Sequence, residues 1–257
     1  VLGLSEGYHD AGACLIEDGE ILSATHSERL SRKKNDRWLH PKQKYLKNLA
    51  HKVSFFEKNW LKFSRQWYSG QKELADFRLS KYENSHYHHE SHAAAGFYTS
   101  KFDQCNILVI DAIGEWETIT IWDNLKKLRS WSYPYSLGLL YSAVTQYLGF
   151  KPNEEEYIVM GMSAFGEPIY NYEYLLYENN HRGIKSLEGK PEDIAASIQK
   201  LYEDELLKLV KMCPKKNLIL MGGCALNCVA NSKIKGKNIW IMPSPGDAGS
   251  SLGASAL

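Results

Sequence analysis

The feature that most constrains the fold is a strand-and-turn grammar that occurs twice along the chain. Residues 1–4, 13–16 and 20–26 are short apolar or alternating runs, and Asp18-Gly19 supplies a hairpin turn between the last two. Residues 107–110, 118–122 and 128–133 repeat the pattern, with Asp123-Asn124 near the turn. Helical periodicity and further strands follow. Leu137, Leu140, Val144 and Leu148 share one face of a helix capped by Ser136. Pro191 opens another helix, lined by Ile194, Ile198, Leu201 and Leu209 and stopped by Cys213-Pro214. Residues 218–221 and 239–242 read as strands that lead through glycine into helical segments, and Ala93-Ala94-Ala95-Gly96 suits a tightly packed helix. The repetition predicts a duplicated α/β unit with a nucleotide cleft between lobes at 1–105 and 106–257. A helical insertion is expected over about 27–85, where Leu46, Leu49, Val53 and Phe56 have helical spacing and Trp60, Phe63, Trp67 and Tyr68 are expected to pack the inserted helices.

Charge narrows the partners. Thirty-one basic and thirty acidic side chains leave a net charge of +1, so no electrostatic excess argues for DNA, an anionic membrane or tRNA. No apolar run is long enough to span a bilayer. Five scattered cysteines and the lack of a secretory leader fit a reducing, cytoplasmic compartment. The chain opens at Val1 inside a strand and closes at Leu257 inside a helix, which reads as a portion of a longer protein.

Three turns follow apolar strands and combine glycine with an acid or amide: Ser5-Glu6-Gly7-Tyr8-His9-Asp10, Asp111-Ala112-Ile113-Gly114-Glu115 and Gly222-Gly223-Cys224-Ala225-Leu226-Asn227. Glycine lets backbone approach a phosphate closely, and a helix N-terminus adds N–H donors. Singly, each reads more readily as an ordinary glycine turn, and none matches the P-loop or dinucleotide pattern. Together they favour a split nucleotide site, and Pro245-Gly246-Asp247-Ala248-Gly249-Ser250 adds a fourth loop of the same kind.

His88 and His92 are four residues apart, so on a helix they share a face and can ligate one metal through imidazole nitrogen. Asp111 and Asp247, at strand ends facing the cleft, are the obvious further donors, and the set suits iron(II), manganese or zinc. A solvated histidine-rich loop is the competing reading. In Glu28-Arg29-Leu30-Ser31-Arg32-Lys33-Lys34, Lys34 or Arg32 could clamp a phosphate or carbamate, although most charge runs are plain surface. Cys224 and Cys228 read as buried packing residues rather than a redox pair.

Taken together, these motifs resemble the carbamoyltransferases of antibiotic and nodulation-factor biosynthesis, which share an actin-like (hexokinase/Hsp70-type) fold with the tRNA threonylcarbamoyl-transfer proteins. The resemblance is carried in order by Tyr8-His9-Asp10-Ala11, the Glu28–Lys34 run, His88-His89-Glu90-Ser91-His92-Ala93-Ala94, Asp111-Ala112-Ile113-Gly114-Glu115-Trp116, Ser136-Leu137-Gly138-Leu139-Leu140, Glu156-Tyr157-Ile158-Val159-Met160-Gly161, Gly222-Gly223-Cys224-Ala225-Leu226-Asn227 and Pro245-Gly246-Asp247-Ala248-Gly249. It implies duplicated βββαβα lobes. It also implies carbamoyl transfer from carbamoyl adenylate, made from ATP and carbamoyl phosphate in a C-terminal domain outside this chain, to a hydroxyl of a small-molecule acceptor. His88, His92, Asp111 and Asp247 would hold a divalent metal, iron in the family. Lys34, His92, Ala93, Ala94, Asp111, Gly138, Gly222, Gly223, Asn227 and Asp247 would line the nucleotide site, and His9 would be the general base.

The sequence also departs from that family. Ile158 stands where lysine is usual, and the stretch between Glu167 and Gly222 is short for the family, which affects the acceptor pocket. Threonylcarbamoyl transfer to tRNA and a catalytically silent nucleotide-binding module remain the competing functions. The near-neutral charge opposes the first, and the intact ligand set opposes the second.

Overall fold

The computed structural model describes residues 1–7, 9–50, 52–56, 84–178 and 180–257. Ten strands form two five-stranded sheets among these residues. The first contains β1 (Leu2–Ser5), β2 (Gly12–Glu17), β3 (Glu20–His26), β4 (Val53–Phe56) and β5 (Asn84–His86), in the order β3-β2-β1-β4-β5. The second contains β6 (Asn106–Gly114), β7 (Glu117–Asp123), β8 (Lys126–Ser132), β9 (Asn217–Met221) and β10 (Asn238–Trp240), in the order β10-β9-β6-β7-β8. Renumbered from its own first strand, each sheet has the order 3-2-1-4-5. Each begins with an antiparallel meander and adds parallel strands beside its first strand. The fold is thus the duplicated α/β architecture of actin-like chains.

The helices are α1 (Ser27–Ser31), α2 (Pro41–Tyr45), α3 (His88–Thr99), α4 (Leu137–Tyr147), α5 (Glu156–Met162), α6 (Pro191–Lys211), α7 (Cys228–Asn231) and α8 (Asp247–Ala256). Side chains alternate along a strand, so β6 serves two cores. Leu108 and Ile110 join α4 and α6, whereas Ile107 and Val109 join Ala93 and Ala95 of α3. Helix α3, which follows the first sheet, packs on β6 and β9 of the second. Helix α8, which follows the second sheet, packs on β1, β2 and β4 of the first. The two helices also pack on each other, so they form the layer between the sheets.

One sequence expectation is overturned. The spacing of Leu46, Leu49, Val53 and Phe56 suggested a single helix. Instead α2 and a 3-10 turn (Leu46–Asn48) precede strand β4. Strand β1 needs a partner on the edge that β2 leaves open, and β4 pairs there in parallel register. Sheet pairing overrides a coincidental helical spacing of four apolar residues. The aromatics Trp60, Phe63, Trp67 and Tyr68 lie outside the described residues. Cys224 is half-buried against the core, but Cys228 is exposed at the start of α7, so the buried-packing reading fails for Cys228. No helix of the described residues is long and apolar enough to cross a membrane.

Ser136 caps α4 as expected. Its hydroxyl accepts from the Leu139 N–H at 3.1 Å and donates to the Ala112 carbonyl at 2.6 Å, beside Asp111. Ser136→Ala loses the cap and leaves a carbonyl without its donor. The expected cost is about 2 kcal/mol, read as a lower denaturant midpoint at unchanged slope.

Candidate active site and metal centre

The site is assembled by two periodicities. In α3, the four-residue step places His88 over His92, both buried. In β6, Asp111 continues the Ile107–Val109 row that faces α3. Asp247 enters from the first residue of α8, across the α3–α8 interface.

Four ligand atoms converge as a result. His88 Nε2 lies 2.7 Å from Asp111 Oδ2 and 3.5 Å from Asp247 Oδ1. His92 Nε2 lies 3.1 Å from His88 Nε2, 3.2 Å from Asp111 Oδ2 and 3.3 Å from Asp247 Oδ1. Bonds of about 2.1 Å from a divalent cation to nitrogen and oxygen put neighbouring donors about 3.0–3.4 Å apart, for octahedral and tetrahedral arrangements respectively. The observed separations straddle that range, so the donor set fits a cation.

Electrostatics point the same way. Burial disfavours a charged His92, but hydrogen bonds with Asp111 and Asp247 outweigh it and raise its pKa. Burial would raise the Asp111 carboxyl, but His88 and His92 hold it well below the usual carboxylate range. The Asp111 carboxylate therefore keeps its charge and calls for a positive partner beside it.

Ser250, one turn into α8, was not singled out from the sequence. Its Oγ lies 2.9 Å from His92 Nδ1, which leaves His92 Nε2 for the cluster. The legible signal was its position three residues after Asp247, on the same helical face. His89 points elsewhere: its Nδ1 lies 2.9 Å from Thr120 Oγ1 on β7, and burial lowers its pKa, so it is a neutral core histidine.

The other candidates divide. His9 joins the cluster, with Nε2 3.3 Å from Asp247 Oδ2. Gly223 is exposed beside it, and its N–H donates to Asp111 Oδ1 at 3.3 Å. Gly222 has φ +88, and a Cβ there would lie 2.1 Å from the Ile110 carbonyl oxygen, so the turn after β9 requires glycine. Gly138 is buried, with the Ala112 backbone 2.7 Å from where a Cβ would stand. Ala93 and Ala94 are fully buried within α3. Asn227 caps α7 through the Ala230 N–H and exchanges hydrogen bonds with Gln199. Lys34 does not reach the cluster. Its Nζ donates to the Glu154 carbonyl at 3.2 Å and pairs with the Glu154 carboxylate at 3.5 Å.

A sequence profile of the carbamoyltransferase N-terminus matches residues 42–183 and 173–256. The uncharacterized protein sll1178 of Synechocystis sp. is 33% identical, over 99% of this chain and 56% of its own length. Nodulation protein NolNO of Sinorhizobium fredii is 31% identical over 66% of this chain and 30% of its own length. The chain spans about half the length of the first curated relatives it matches. Among solved structures, component A of the Acidaminococcus fermentans (R)-2-hydroxyglutaryl-CoA dehydratase superposes with a TM-score of 0.61 at 12% identity, covering 100% of this chain and 96% of that one. Full-length HypF, in its phosphate- and nucleotide-bound form, gives 0.55 at 13% identity, over 98% of this chain and 45% of that one. At such identities these two matches speak for the fold alone.

Proposed function

The chain belongs to the carbamoyltransferase N-terminus family, and on that premise we propose that it moves a carbamoyl group from carbamoyl adenylate to a hydroxyl of a small molecule. The observation that carries the reading is the convergence of His88, His92, Asp111 and Asp247 with His9 at their edge. His88, His92, Asp111 and Asp247 would hold a divalent cation, iron(II) in this reading, which would supply Lewis-acid stabilisation of the charge that develops on the carbamoyl oxygen. Asp111 and Asp247 provide the oxygen donors, and Ser250 orients His92. The exposed backbone at Gly223 gives the adenylate phosphate room for close approach. An alcohol is a weak nucleophile at neutral pH, so His9 Nε2 takes its proton as the oxygen bonds to the carbamoyl carbon. The bond from that carbon to the phosphate oxygen breaks, and AMP leaves with the electron pair. ATP and carbamoyl phosphate enter upstream, through an adenylate-forming domain of the longer protein.

The test supplies carbamoyl adenylate and a panel of aminoglycosides, sugars, nucleosides and glycans to the iron-loaded chain. Acceptor-dependent AMP release and a carbamoylated product are expected, with His9→Ala slower by about 10²–10⁴-fold. If no acceptor raises AMP release above hydrolysis, the reading is wrong.

A further inference from the structure

A second group of titratable side chains adjoins the ligand cluster. His9 spans the two: its Nδ1 lies 2.7 Å from Asp10 Oδ2, and its Nε2 lies 3.3 Å from Asp247 Oδ2. The other Asp10 oxygen, Oδ1, lies 3.2 Å from His26 Nε2, at the end of β3. Glu28 approaches the same corner, and its carboxylate accepts from the Asn35 N–H at 3.1 Å.

Asp10, His26 and Glu28 have donor types that a cation would accept. Their contacts favour a different role. Each Asp10 oxygen is already directed at an imidazole, and one Glu28 oxygen is taken by a backbone N–H. Asp10 also adopts φ +51, a left-handed turn conformation in which aspartate is enriched. Neighbouring backbone anchors the turn: the Ala11 N–H donates to the Asp36 carbonyl, and the Ser27 N–H donates to the Ala11 carbonyl, both at 2.7 Å. Burial would raise the Asp10 carboxyl, but the imidazoles of His26 and His9 beside it prevail and hold it well below the carboxylate range.

We propose that Asp10 is a positioning residue for His9: its carboxylate, with the His26 imidazole near its other oxygen, accepts the Nδ1–H of His9 and fixes the ring so that Nε2 faces the ligand cluster. The two distances assign the ends of the ring. A separation of 2.7 Å is that of a charge-assisted hydrogen bond, whereas 3.3 Å to Asp247 is long for one. His9 is therefore anchored through Nδ1, and Nε2 is the end presented to an incoming hydroxyl. When Nε2 gains that proton, the imidazolium remains hydrogen-bonded through Nδ1 to the Asp10 carboxylate, which stabilises it.

The consequence for rate rests on the carbamoyl-transfer reading; the ring orientation does not. Long-range proton–nitrogen spectra of the His9 imidazole test the orientation without substrate. The proton should sit on Nδ1 in the native chain, and Asp10→Asn should shift the ring towards the other tautomer. An unchanged tautomer overturns the proposal. In the transfer assay, Asp10→Asn should lower kcat by about 10²–10⁴-fold with little change in the acceptor KM. It should cost nothing further in a His9→Ala background, because the residue acts only through His9. Independent, multiplicative losses in the double variant overturn the proposal as well. Asp10→Glu keeps the charge and should recover part of the rate, which separates positioning from misfolding. If the tautomer shifts but no carbamoyl group is transferred, the proposed function fails and the assignment of Asp10 stands.

Discussion

His88→Ala and His92→Ala, made singly, should each abolish near-stoichiometric cation binding, measured by elemental mass spectrometry on anaerobically purified protein. Each removes one of the four donors that converge beside the α3–α8 interface, an Nε2 in reach of both Asp111 and Asp247. Outer partners of metal ligands already cost about 10–100-fold in affinity when lost, and a direct ligand should cost more. The effect on transfer follows from the same loss. A bound cation contributes several kcal/mol of charge stabilisation, and about 4 kcal/mol corresponds to roughly 10³-fold in rate. Thermal unfolding provides a readout independent of turnover. A cation at about 100 times its Kd stabilises the native state by about 2.7 kcal/mol. For a chain of this size that is a rise of about 5–10 °C in midpoint. The rise should appear in the native chain and vanish in both variants. Retention of both the bound cation and the thermal shift in either variant would show that the ligand set is wrong.

How much of this arrangement the sequence discloses depends on the range of the signal. The two meanders are local: Asp18 and Gly19 take the positive φ values of a tight hairpin turn, and alternation within each strand marks its faces. The α3 histidine pair is equally local, since four residues separate positions on one helical face. Strands β4 and β5 carry no such signature. Four residues at β4 and the short polar Asn84-Ser85-His86 become strands only because β1 offers an unpaired edge, and that is a long-range fact. The exchange of α3 and α8 between the sheets is also silent in the sequence, although it brings Asp247 and Ser250 to His92. Asp10 illustrates a third case. It stood beside His9 in the motif, but the placing of His26 3.2 Å from its other oxygen follows from the pairing of β2 with β3.

That helix interface leads to the second large effect. Gly253 lies on α8 where α3 crosses, and a Cβ there would stand 1.8 Å from the Ser91 carbonyl oxygen and 2.9 Å from the Ala95 nitrogen. Both obstacles are backbone, so Gly253→Ala can be accommodated only by moving one helix away from the other. Overpacking of this kind costs about 1–3 kcal/mol, and the thermal midpoint should fall by roughly 2–12 °C. The shift also reaches the site, because Asp247 and Ser250 travel with α8 while His88 and His92 stay with α3. Cation affinity should therefore weaken by at least about tenfold, the lower end of what a displaced outer partner costs. Gly236→Ala is the control. It also strains a glycine, at φ +73, but its Cβ would meet nothing within 4 Å, and it is remote from the interface in sequence and contacts. It should lower the midpoint slightly and leave cation affinity unchanged. If Gly253→Ala matched that control in cation affinity, the close approach of α3 and α8 would not be what sets the ligand geometry, and the convergence of the four donors would need another cause.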